Sequence, residues 1–258
     1  MDKRPIGMFD SGVGGLTVYK EIKKVMPNEK IIYIGDTERF PYGNKTKETI
    51  IDASKKFIDF LISKDVKKII IACGTASSMA FDIVKEIYKL PITGIIKPTI
   101  KYIKNKRYKN VGVMATRGTI ESMAWEKELK NEIQDINVYN QACPLLAPMA
   151  EEGWTDNEVA KLTVKEYVKN FKELETKLDA VILGCTHYPL FEEIIKEELS
   201  NIETINTGKI IAQYMEEEKE DDANNIEDEF YLTDVEGNFE NVASTILRHP
   251  IKINFMKI

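Results

Sequence analysis

Short apolar runs alternate with stretches whose apolar residues recur every three or four positions. Ile6 to Phe9, Ile31 to Ile34, Ile69 to Ala72 and Pro91 to Ile96 are the runs in the first part of the chain. They are rich in isoleucine and bounded by polar or turn residues, the pattern of strands buried on both faces of a parallel sheet. Between them, Leu16 to Val25, Thr46 to Ser63 and Phe81 to Tyr88 carry helical periodicity. The second of these puts Ile50, Ala53, Phe57, Phe60 and Leu61 on one face. The order β-α-β-α-β-α-β predicts a parallel sheet with right-handed crossovers.

The pattern then begins again. Val111 to Met114 parallels the first run at an offset of 105 residues. A helix is expected from Ile120 to Glu132, a strand from Asn137 to Tyr139, an irregular segment through Cys143 to Pro148, and a helix from Asn157 to Leu174. Another apolar run precedes Cys185. Beyond it come a helix from Phe191 to Leu199, a strand from Glu203 to Ile205 and a helix from Lys209 to Glu218. The acidic stretch from Glu216 to Glu229 reads as a solvated helix end and loop. Phe230 to Leu232 reads as a strand, Phe239 to Leu247 as a helix, and Ile251 to Phe255 alternates like an edge strand. The shared order of elements signals an internal repeat. The expected fold is α/β, with two pseudo-symmetric α/β domains whose mainly parallel sheets face a central cleft. Residues 1–96 with 207–258 are assigned to the first domain and 97–206 to the second.

Two of the apolar runs end on a thiol. Lys68 to Met79 reads KIIIACGTASSM and Asp179 to Leu190 reads DAVILGCTHYPL. Cys73 and Cys185 each stand where a strand gives way to a polar turn before the next helix, and they lie 112 residues apart. The carboxyl ends of strands in open α/β sheets are where ligands bind, and a helix N-terminus favours the thiolate. A lone cysteine after a buried strand is commonly an inert core thiol. Two at equivalent places of a repeat, both beside polar turn residues, point to chemistry. Cys143 lacks that setting and reads as structural.

Composition narrows the alternatives. A chain of 258 residues with 43% hydrophobic content is ample for two modest domains. No apolar run is long enough to cross a bilayer, and the chain leads straight into a strand, so neither a membrane span nor a signal peptide is expected. The net charge of −6 and the absence of a basic cluster disfavour nucleic acid. Three cysteines make no even disulfide set, which suits a reducing, cytoplasmic setting. Two histidines, His187 and His249, and no CxxC or HxxxH spacing argue against a metal. His249 before Pro250 reads as a surface or capping residue.

Asp10 closes the first strand and is followed by Ser11-Gly12-Val13-Gly14-Gly15. Such a turn can cradle an anion, but it matches neither GxGxxG nor GxxxxGK[ST], so a nucleotide site is disfavoured. A carboxylate substrate suits the same cradle, and tight strand-to-helix packing would also account for the glycines. The loop Arg39-Phe40-Pro41-Tyr42-Gly43 reads as an ordered turn, with Tyr42 able to present a hydroxyl or simply to pack.

Two facing domains with a cysteine on each wall allow one thiolate to remove a proton from a carbon while the opposite thiol delivers one. The result is inversion of a stereocentre without a cofactor. Asp10, on the strand neighbouring the Cys73 strand, could hold the Cys73 proton. His187, two residues past Cys185, could serve the other wall, and Glu151 could orient it. Ser11, Thr75, Thr116, Thr119 and Thr186 fall in turns at strand ends and could hold a carboxylate and an ammonium.

The stretches FDSGVGGLTV, GDTERFPYG, ACGTAS and ILGCTHYPL make the chain resemble the glutamate racemases of the aspartate/glutamate racemase superfamily, over essentially its whole length. The resemblance implies cofactor-independent interconversion of L- and D-glutamate, supplying D-glutamate for peptidoglycan, in a cytoplasmic homodimer. It implies Cys73 and Cys185 as the acid/base pair, assisted by Asp10, Glu151 and His187. It implies substrate contacts from Asp10, Ser11, Tyr42, Gly43, Gly74, Thr75, Thr186 and His187. Gly74 stands where that family usually has Asn, and Asn206 where it often has Asp. Loss of an amide contact typically costs about 1 kcal/mol or more, so a racemase of the same superfamily with a different amino-acid substrate is the alternative. A non-catalytic protein on the same scaffold is disfavoured by the presence of both thiols, Asp10 and His187. A thiol–disulfide role is disfavoured by the lack of CxxC.

Overall fold

A computed structural model describes residues 2–174, 177–200, 202–217, 227–234 and 238–257. Most of the acidic stretch expected as a solvated helix end lies outside the described residues.

The first part of the chain runs β1 (Ile6–Asp10), α1 (Gly15–Val25), β2 (Ile31–Gly35), α2 (Lys47–Ser63), β3 (Lys68–Ile71), α3 (Gly74–Met79), α4 (Phe81–Ile87), β4 (Ile92–Gly94) and α5 (Ile96–Lys106). The second runs β5 (Asn110–Ala115), α6 (Arg117–Glu121), α7 (Ala124–Glu132), β6 (Asn137–Ala142), α8 (Leu146–Glu151), α9 (Glu158–Lys172), β7 (Ala180–Leu183), α10 (Glu192–Glu198) and β8 (Glu203–Asn206). The tail adds α11 (Thr207–Glu217), β9 (Glu229–Leu232), α12 (Phe239–Leu247) and β10 (Ile253–Phe255).

Two sheets form, in the orders β10-β9-β2-β1-β3-β4 and β6-β5-β7-β8, and every pairing is parallel. The block β2-β1-β3-β4 repeats as β6-β5-β7-β8, so the repeat read from the sequence is a repeat of sheet topology. The tail strands extend the first sheet beside β2, with β10 at the edge as its alternating pattern suggests. Strands that are buried along almost their whole length need helices on both faces. One apolar cluster runs from Ile6, Leu16 and Ile22 of the first sheet's side to Val111, Trp125 and Ile182 of the second, and each sheet has a further cluster on its other face.

Several helices differ from the pattern reading. The segment after Cys73 is not a turn before a helix at Met79: α3 begins at Gly74. The helix expected over Ile120 to Glu132 is two, α6 and α7, separated at Met123 with φ of 57°. Ile96, read as a strand end, opens the helix over residues 96–106, and residues 146–148, read as irregular, lie in the helix over 146–151. Pro98 and Pro148 lie in the first turns of those helices, where the missing N–H costs nothing. On α2, Phe60 is half-buried, stacked edge-on at 5.0 Å against Tyr231, and Ile58 takes the core position. Thr46, Thr116 and Asn157 cap α2, α6 and α9 through side-chain oxygens.

Candidate active site

The site grows from the carboxyl ends of β1, β3, β5 and β7. Phe9 pairs with Ile71 and Met114 pairs with Leu183, so Cys73 and Cys185 each sit two residues past equivalent register positions. The same correspondence sets Asp10 against Ala115 and Thr75 against His187. The two walls therefore carry equivalent thiols but different helpers. The first has a carboxylate on the central strand; the second has an imidazole on the cysteine turn itself.

On the first wall, Cys73 is buried and caps α3, its sulfur accepting from the Ala76 N–H at 3.5 Å and lying 3.7 Å from Ser11 Oγ. The sequence suggested a thiol pulled down by the helix N-terminus. Burial, joined by the nearby Asp10 charge, outweighs the Ala76 N–H and pushes the Cys73 thiol well above its ordinary range. Asp10 is fully buried and accepts from the N–H groups of Gly12 and Gly15 and from Thr186 Oγ1 at 3.1 Å. Burial raises the Asp10 carboxyl to about 6, against the pull of His187 and Thr186.

On the second wall, His187 links a thiol to a carboxylate. Nδ1 lies 3.6 Å from Cys185 Sγ and Nε2 lies 2.7 Å from Glu151 Oε1. Burial opposes charge on the ring, but the hydrogen bonds and charges of Cys185 and Glu151 prevail and hold His187 well above the ordinary imidazole value. A protonated imidazole donates from both nitrogens, to a sulfur on one side and a carboxylate on the other.

The two walls are tied to each other by hydrogen bonds. Thr186 donates to Asp10, Thr17 Oγ1 donates to the Thr186 carbonyl at 2.8 Å, and the Val13 N–H donates to Glu151 Oε1 at 2.9 Å. Thr75, Thr116 and Thr119 form a triangle of hydroxyls, with separations of 2.9, 2.9 and 3.1 Å, contributed by both walls. Gly43 packs against Thr116. Gly74 lies against Gly184 and Cys185. Asp10, Ser11, Cys73, Gly74, Glu151, Cys185, Thr186 and His187 thus meet where the two walls join, with the three threonines and Gly43 beside them; His249 is exposed, as expected of a surface residue. Tyr42 stands differently from what the resemblance implies: its hydroxyl donates to Asp36 at 2.6 Å, while Gly43 of the same loop packs against Thr116. Cys143 is fully buried, and burial raises its thiol.

Sequence reasoning missed Asp36, the residue that follows β2, one past the register partner of Asp10. It is fully buried and accepts from Tyr42, from Arg39 Nη1 at 2.9 Å and from Thr233 Oγ1 at 2.8 Å. Its strand-end position was the available signal. Phe40, 5.5 Å from the His187 ring, and Asn238, donating to the Glu151 carbonyl, were missed because nothing local marks them. Asn206 caps α11 and donates to Glu192 at 3.1 Å; an aspartate there would face the Glu192 carboxylate.

Among the described residues no cluster of three or more His, Cys, Asp or Glu is arranged to hold a metal, and no helix is long and apolar enough to cross a membrane. Residues 6–215 match the family model described as Asp/Glu/Hydantoin racemase. The glutamate racemase of Sulfurihydrogenibium sp. is 41% identical over 248 residues, 94% of each chain. The crystal structure of glutamate racemase from Francisella tularensis in complex with D-glutamate superposes with a TM-score of 0.89 at 36% identity, covering 100% of this chain and 98% of that one. Glutamate racemase isoform RacE1 from Bacillus anthracis gives 0.90 at 33% identity, covering 99% and 98%. With the repeated sheet topology and the paired strand-end cysteines, these matches make the chain a member of the Asp/Glu/hydantoin racemase family.

Proposed function

We propose that the chain interconverts L- and D-glutamate with Cys73 and Cys185 as the two acid/base groups, one for each face of the α-carbon, and without a cofactor. The observation that carries this reading is the meeting of two equivalent strand-end thiols, each with its own titratable helper. One thiolate takes the α-proton; the opposite thiol donates its proton to the other face; the product leaves with inverted configuration and the sulfurs exchange protonation states. Asp10 serves Cys73. His187, oriented by Glu151, serves Cys185. Ser11, Thr186 and the Tyr42-Gly43 main chain hold the amino-acid end, and the Thr75, Thr116 and Thr119 hydroxyls take a carboxylate.

The relatives named above support glutamate as substrate, and we propose supply of D-glutamate for peptidoglycan as the use of the reaction. We extend the proposal to a cytoplasmic homodimer that binds neither nucleic acid nor membrane, and to a division into residues 1–96 with 207–258 and residues 97–206. Gly74 favours a second reading, a racemase of the same superfamily for another amino acid. The test is circular dichroism of L-glutamate, and of a panel of other L-amino acids, with purified protein in metal-free, pyridoxal-free buffer. Glutamate is expected to lose its optical activity. No change at any protein concentration removes the function, and faster loss with another amino acid favours the second reading.

A further inference from the structure

Gly74 follows one of the two cysteines and Gly184 precedes the other. A Cβ built on Gly74 would overlap the Gly184 carbonyl oxygen and stand 3.1 Å from its carbonyl carbon and 3.6 Å from Cys185 Cα. The obstacle is main chain, which cannot swing aside as a flexible side chain can. Gly74 has no need of glycine's conformational freedom, since it lies in the first turn of α3 with ordinary helical geometry. Its missing side chain serves close approach and nothing else.

From this contact we infer that Gly74 is a positioning residue that sets the separation of the two sulfurs: main chain meets main chain between Cys73 and Cys185, so the spacing across the substrate is fixed by the absence of a side chain at residue 74. The Gly184 side of the contact is held by the neighbouring strand β5, the Gly184 N–H donating to the Met114 carbonyl at 2.8 Å. The Cys73 side is held by α3, whose Ser77 and Ser78 hydroxyls donate to Ile71 and Gly74 carbonyls. A side chain at residue 74 must therefore part the walls as bodies. The inference rests on the two-thiol reading above and deepens it: residue 74 acts on distance, not on a contact to substrate.

Racemisation needs both sulfurs in reach of one carbon, whereas exchange of the α-hydrogen with retention needs one. In deuterium oxide a single thiolate takes the α-proton, trades it for a deuteron from solvent and returns the deuteron to the same face. The experiment compares Gly74→Ala and Gly74→Asn with the native chain in deuterium oxide, following racemisation by circular dichroism and α-deuteration of recovered L-glutamate by NMR. Both variants are expected to lose racemisation by about a hundredfold, the effect of about 1 Å of misplacement, while α-deuteration with retention persists and its ratio to racemisation rises. A ratio that stays constant in Gly74→Ala, with both activities falling together, overturns the inference. So does failure of that variant to fold, because each sheet keeps an apolar cluster of its own on its outer face. Gly74→Asn racemising glutamate faster than the native chain overturns it in favour of a missing amide contact. If the native chain neither racemises nor exchanges, it is the two-thiol function that fails.

Discussion

Glu151 and His187 share a hydrogen bond of 2.7 Å between Oε1 and Nε2, with both side chains buried. The same Oε1 accepts from the Val13 N–H on the opposite wall, so the residue that orients the imidazole also joins the two sides of the cleft. Glu151→Gln keeps an oxygen acceptor and removes the charge. His187 is held above its ordinary value partly by that charge, so its value falls in the variant. The imidazolium, and any stability it contributes, is complete below the unfolded value of about 6.5 and is lost as pH rises through the raised native value. The alkaline limb of kcat/KM is expected to move to lower pH, with kcat reduced about ten- to a hundredfold. A pH–rate profile superimposable on that of the native chain would show that Glu151 does not tune the ring.

The three cysteines should separate cleanly. Cys73→Ser and Cys185→Ser each remove one of the two proposed proton carriers and should lower racemisation by about a thousandfold or more. Cys143 is packed in the second sheet's outer cluster, with its thiol donating to the Gln141 carbonyl and its own carbonyl accepting from Tyr188. Cys143→Ala should cost on the order of 1 kcal/mol in urea unfolding and leave racemisation close to that of the native chain. Comparable losses in all three variants would remove the distinction drawn here between catalytic and packing thiols.

Much of this arrangement is legible before any coordinates. Isoleucine-rich runs with polar ends locate β1, β2, β3 and β7, and because a parallel sheet puts its ligand chemistry at strand ends, the residues following those runs include Asp10, Cys73 and Cys185. Helices opening on an early proline are harder: Pro98 and Pro148 look like breakers in a periodicity count but sit where the helix needs no N–H. Glu151 is recognisable only weakly, since its value lies in the distance to His187. The Gly74–Gly184 contact is invisible in the sequence, because it joins two turns in different halves of the repeat. Asp36 shows the converse case. It follows a strand end, one residue past the register partner of Asp10, but no neighbouring thiol singles it out.

Asp36 holds the Arg39 to Gly43 loop from beneath, through Tyr42 and Arg39, and fastens it to the tail through Thr233. Asp36→Ala strands these donors, with Arg39 keeping only its pairing to Glu38. The expected cost is on the order of 2 to 4 kcal/mol in urea unfolding. Because the loop and not the thiols is released, KM should rise more than kcat falls. A variant with native KM and reduced kcat would place the role of Asp36 elsewhere.

Asp10 should trade stability for activity. Burial raises its carboxyl from 3.8 to about 6 in the folded chain. Between those values the native state keeps a proton that the unfolded chain has released, so the favourable contribution present at low pH is lost as pH rises through about 6. At neutral pH the buried carboxylate is then a penalty of about 3 kcal/mol at most. Asp10→Asn removes the charge while its carbonyl can still accept from the Gly12 and Gly15 N–H groups that now bind the carboxylate. The variant should resist urea better than the native chain at pH 7.5, converge with it near pH 4, and racemise about a hundredfold more slowly at pH 7.5. Asparagine that destabilises more at pH 7.5 than near pH 4 would mean that the network around Asp10, led by Thr186, stabilises the charge more than burial penalises it.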